Sequence, residues 1–128
     1  MMSSSISPEI RRFILGRIPS VPHLEALLLL RNEPHDWSAA SVAERLYVGE
    51  PAVTALLGEL VGGGLLDVVA ETPRRYRYQP RTPALRDLLD ELAATYASHL
   101  VEVTQLIHSK TDRKAQQFAD AFKWRKDS

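Results

Sequence analysis

No cysteine occurs among the 128 residues, which excludes disulfides, thiolate metal sites and cysteine nucleophiles together. A reducing cytoplasm suits such a chain. No long apolar run occurs either: Ala26 to Leu30 is the longest, far short of the roughly 20 residues that span a bilayer. The opening Met1-Met2-Ser3-Ser4-Ser5 has no charged flank, apolar block or cleavage signature, and reads as a frayed tail rather than a signal peptide. Net charge of one sign is missing as well, since sixteen Lys and Arg balance sixteen Asp and Glu.

Signals for enzyme chemistry are also lacking. The four histidines, His23, His35, His99 and His108, include no two at metal-ligand spacing on one helix face. The glycines Gly62 to Gly64 are not followed by the Lys-Ser/Thr of a phosphate loop, and no Gly-x-Ser-x-Gly elbow occurs. Asp87, Asp90 and Glu91 share a helix face, where carboxylates ordinarily just meet solvent. The expectation is a non-enzyme with no cofactor, no metal and no membrane partner.

What is present is a helical chain with one β-prone interlude. Ser7-Pro8-Glu9 opens a helix, with a hydroxyl cap, a proline at the first position and a carboxylate at the positive end of the dipole. Ile10, Phe13, Ile14 and Ile18 follow at helical spacing. After Pro19 and Pro22, "HLEALLLLR" is too apolar for a surface helix and reads as a core element. "NEPHDW" is a connector, with Trp37 as a plug. Ser38 caps a third helix, Ala39 to Leu46; a turn follows, and Pro51 begins a fourth that ends at Gly62 to Gly64. "LLDVVA" and "RRYRYQP" then flank Glu71-Thr72-Pro73 as a hairpin. Tyr76 and Tyr78 share one of its faces, read as packing, while Arg75 and Arg77 share the other.

Beyond Pro83 the sequence predicts one long helix from about Ala84 to Ser109. Leu85, Leu89, Leu92, Tyr96, Leu100, Val103 and Ile107 step along it close to a heptad seam. Length and spacing favour a homodimer seam over a helix that folds back on its own core. A break near Lys110-Thr111 precedes an amphipathic tail, with Ala115, Phe118, Ala119 and Phe122 on one face. The chain divides as 1–20, N-terminal tail and short helix; 21–82, a compact head; and 83–128, long helix and tail.

Ala43, Leu46, Val48, Val53, Leu57, Leu60, Gly64, Leu65 and Leu66 follow one another in a recognisable spacing over about residues 22–80. With the order of helices, glycine stop and hairpin, they resemble a winged helix-turn-helix, with a long helix similar to that of MarR-like and PadR-like bacterial regulators. The fold class it implies is mostly α with a small β-hairpin wing and a long C-terminal dimerisation helix. The function it implies is that of a homodimeric transcriptional regulator binding double-stranded DNA. Pro51 to Leu60 would enter the major groove, presenting Glu50, Thr54, Ala55 and Gly58, while Arg74, Arg75 and Arg77 of the wing would reach phosphates or the minor groove.

Charge cuts across that resemblance. Residues 21–60 carry Arg31 and Arg45 against Glu25, Glu33, Asp36, Glu44, Glu50 and Glu59, a net −4. A typical relative has Ser or Thr in place of Gly49 and Ala52, and Arg or Lys near Ala55, Gly58 and Glu59. Basic charge lies instead in the wing and at both ends; Arg11, Arg12 and Arg17 read as a solvated helix face. Two readings of the wing stay open, DNA contact or pairing with Glu71 or Asp67. A second function stays open with them: a winged-helix module that has lost DNA binding and whose partner is a protein, docking also through the tail Ala115–Trp124.

Overall fold

The computed structural model describes the backbone of residues 6–127 and the side chains of residues 6–110, 116, 117 and 119–121. Helix α1 spans Pro8–Arg17 and is capped as its sequence dictates, the Ser7 hydroxyl accepting from the Ile10 amide at 3.2 Å. Ile10, Phe13, Ile14 and the following Ile18 are buried. Helix α2, Val21–Asn32, repeats the device with Ser20 and Pro22. It buries Leu24, Ala26, Leu27, Leu28 and Leu30, a face that covers more than half of its circumference. So wide an apolar face packs against several elements, here α3, α4 and β3.

The connector after α2 holds a strand that the sequence pattern does not reveal. Trp37–Ser38 forms β1, which pairs antiparallel with β3 (Arg74–Tyr78), itself paired with β2 (Leu66–Glu71). The sheet order is β1-β3-β2. Two residues are too few for any periodicity to register; tertiary pairing of Trp37 with Tyr76 creates this strand. Trp37 is the plug that the sequence suggests. It is 3% exposed, and its indole N–H donates to the Glu33 carbonyl at 2.9 Å.

Helix α3, Ala39–Leu46, starts on a capping box in which Ser38 and Ser41 satisfy each other's amides. Helix α4, Glu50–Gly62, packs Val53, Leu56, Leu57 and Leu60 inward. Gly64 adopts φ +79°, and a Cβ built there would lie 3.1 Å from Arg81 Nε. The left-handed turn lets the Leu65 amide bond back to the Leu60 carbonyl at 3.1 Å and sends the chain into β2.

The long helix expected from Ala84 to Ser109 is instead two helices. Helix α5 spans Pro83–Ser98 and α6 spans Leu100–Asp127, with His99 between them at φ −136°, ψ 47°. The Ser98 hydroxyl donates to the Ala94 carbonyl at 2.9 Å and lies 2.8 Å from His99 Nδ1, local bonds that compete with a continuing helix. The break lets α6 turn back along α1 and α5. Heptad positions Leu89, Leu92, Val103 and Ile107 are therefore fully buried in their own chain. Leu85 and Tyr96 are partly buried, and Leu100 is 53% exposed.

The backbone of α6 also runs through Lys110-Thr111 without the anticipated break. Ala119 is exposed, whereas Met1–Ser5 and the side chains of Ala115, Phe118, Phe122 and Trp124 lie outside the described residues. Helix α5 is tied to α2 by Arg31–Asp90 at 3.0 Å and by the Tyr96 hydroxyl donating to Glu25 at 2.7 Å. Burial first, then the Glu25 carboxylate, pushes the Tyr96 phenol up to about 12.

Replacing Gly64 with alanine puts a Cβ at positive φ and against Arg81. A loss of about 1–2 kcal/mol is expected in urea unfolding of Gly64→Ala, since that is the cost of the left-handed region to an L-residue.

Candidate nucleic-acid interface

Helices α3 and α4 form the helix-turn-helix, and Tyr47 makes its corner. It closes α3 in the left-handed conformation, φ 57° and ψ 41°, with its amide bonded to the Ala43 carbonyl. Its ring is 96% exposed. The amide of Val48, which pins the turn, bonds to the same Ala43 carbonyl at 3.2 Å.

Once α4 has buried its apolar stripe, the opposite side is left to solvent. Pro51, Thr54, Ala55 and Gly58 are exposed at i, i+3, i+4 and i+7, flanked by exposed Glu50, Ala52 and Glu59. The candidate base-reading residues Glu50, Thr54, Ala55 and Gly58 thus share one accessible face. That face carries no cation. Gly49 caps α4 without a side chain, so the open amides of the first turn could attract an anion. Glu50, in that same turn, supplies a negative charge there already. Glu59 Oε1 lies 3.5 Å from Nε2 of His23, an atom that is buried and makes no hydrogen bond.

The basic side chains of the head are mostly engaged. Arg45, the one cation of α3, forms a two-pronged pair with Glu33, one prong at 3.0 Å, and lies 5.5 Å from the Trp37 ring centroid. Its guanidinium holds the Glu33 carboxyl below the ordinary carboxylate range. In the wing, Arg74 pairs with Glu71 at 3.1 Å. Arg77 pairs with Asp36 at 2.7 Å. The Arg75 side chain is exposed and has no ion-pair or hydrogen-bond partner among the described residues.

Sequence proximity suggests Glu71 or Asp67 as carboxylates for these arginines. Asp67 instead accepts from the Val68 amide at 2.9 Å. Asp36 takes Arg77 because pairing Trp37 with Tyr76 sets position 36 beside position 77. The roles of Glu33 and Asp36 depend on β1, so no local pattern reveals them. Tyr76 is 1% exposed and part of the core, Tyr78 is half-buried beneath Arg86, and Arg11 and Arg12 are exposed on α1.

Among the described residues no single helix is long and apolar enough to cross a membrane. No family model and no curated protein matches the sequence. Solved structures do match. The adhesin competence repressor of Streptococcus pyogenes is similar with a TM-score of 0.51 and 15% identity, over 91% of this chain and 89% of that one. A MarR-family protein of Mycobacterium tuberculosis, in complex with salicylic acid, is similar with a TM-score of 0.50 and 19% identity, over 90% of this chain and 85% of that one. The likeness extends beyond the head to the flanking helices: the fold is a winged helix, as in these two structures.

Proposed function

We propose that this protein is a DNA-binding transcriptional regulator that acts as a homodimer and grips double-stranded DNA mainly through its wing. The observation that carries this reading is Arg75, an exposed and unengaged guanidinium on the hairpin of a regulator-like fold. Its neighbours Arg74 and Arg77 must first leave carboxylates to reach a phosphate. Exposed ion pairs of this kind are weak, about 0–1 kcal/mol, so DNA can compete for both arginines at modest cost. Helix α4 would contribute little to that grip, because its exposed face is short-chained and acidic.

Dimerisation is supported by the α5–α6 corner rather than by the buried heptad positions. Leu100 and Val101 are 53% and 63% exposed there, adjoining apolar side chains that a second copy would cover. A second reading, a module whose partner is a protein, is favoured by the same α4 face that phosphates would avoid.

Binding of a fluorescent genomic-DNA pool, measured between ~50 and ~200 mM salt, tests the main reading, since phosphate-driven affinity falls steeply over that range. Arg75→Ala is expected to weaken binding and reduce the salt slope by about one unit, the share of one phosphate contact. Arg74→Ala is expected to do less. Equal binding by the wild type and Arg75→Ala would remove the wing from the mechanism. For assembly, Leu100→Glu/Val101→Glu is expected to sediment as a monomer where the wild type sediments as a dimer; an unchanged dimer would place the interface elsewhere.

A further inference from the structure

The exposed face of α4 and the Tyr47 corner beside it have no partner within the chain. We propose that they form a docking surface for a lysine- or arginine-rich helix of a protein partner. This inference rests on the second reading above, the protein-interaction module.

Tyr47 presents nearly its whole ring at the start of the surface, 96% exposed. Tyrosine supplies a large, rigid and amphipathic contact, and it attracts cations over its face. The strip behind it, Pro51, Thr54, Ala55 and Gly58, is short-chained and continuous along the helix. Gly58 has no internal reason to be glycine. A Cβ built there meets nothing within 4 Å, and its φ lies outside the left-handed region. A helix interior disfavours glycine relative to alanine. What glycine allows at this place is close approach of something outside the chain.

Charge identifies the occupant. Glu50 and Glu59 flank the strip, Glu59 with one oxygen 3.5 Å from His23 Nε2, while the nearby Arg45 is closed on Glu33. Glu50 has no cationic partner among the described residues. Such a face repels a phosphate backbone and attracts ammonium and guanidinium groups. A basic helix laid along α4 would place cations against Glu50 and Glu59 and one aliphatic or cationic side chain on Tyr47.

The full-length chain, isotopically labelled, is titrated with a blocked alanine-based helical peptide carrying lysines at i, i+4 spacing, and with its Lys→Glu counterpart. Amide shifts are expected to gather between Tyr47 and Glu59 with the lysine peptide and to be absent with the glutamate one. Glu50→Gln/Glu59→Gln is expected to lower the affinity about fivefold, the worth of two exposed charge pairs. Gly58→Ala is expected to raise the melting temperature yet weaken the peptide, a split that a purely structural glycine would not produce. Asp87→Asn/Glu102→Gln, elsewhere on the surface, is expected to leave the affinity unchanged.

Shifts spread over all acidic surfaces, or an equal loss in the Asp87/Glu102 variant, would overturn the proposal. So would a DNA duplex, or self-association without peptide, shifting the same amides. Duplex binding read at the wing amides reports separately on the DNA reading, so the two failures are distinguishable.

Discussion

Trp37 facing Tyr76 is the contact on which the head depends. The pair turns a connector into a strand, adds that strand to the hairpin, and so fixes the wing to the helices. Trp37 is bound on its other sides as well: its indole N–H reaches back to the end of α2, His35 stacks on it with centroids 4.2 Å apart, and Arg45 of α3 lies over its ring. One aromatic side chain thus joins α2, α3 and the sheet. Large buried aromatics cost about 3–5 kcal/mol to truncate, and here the loss would also free the wing.

The same pairing decides the electrostatics. By setting position 36 beside position 77 it supplies Arg77 with Asp36, and by seating Arg45 over the indole it keeps that guanidinium near Glu33. Cations that composition alone would assign to a nucleic-acid surface are therefore engaged with carboxylates of the α2–β1 connector. The Arg75 side chain stays exposed and unpaired among the described residues, and α4 keeps its acidity. Under the proposed function that charge distribution would turn the wing toward DNA, and under the further inference it would turn α4 toward a protein.

Much of the fold is legible in the sequence because local physics sets it. Hydroxyl caps at Ser7 and Ser38, prolines at the helix starts, the apolar spacing of Val53, Leu57 and Leu60, and the glycine before Leu65 each act within a few residues. The departures have two causes, distance along the chain and the local bonds of Ser98. Strand β1 exists through a partner some forty residues away. The turn at His99 lets Leu89, Leu92, Val103 and Ile107 meet their own core, so a spacing that suggests an intermolecular seam serves an intramolecular one. The face of α4 follows directly from its helical period, but the engagement of Arg45 and Arg77 depends on residues that only the tertiary fold brings near.

The proposed wing-led grip on DNA is the central claim, and amide hydrogen exchange tests it most directly. The full chain would be compared alone and with a saturating duplex pool at low salt, where phosphate contacts are strongest. Slowed exchange in the hairpin from Glu71 to Arg77, with little change from Glu50 to Gly58, is the result expected of a wing-led grip. Protection centred on α4 with none in the hairpin would contradict it.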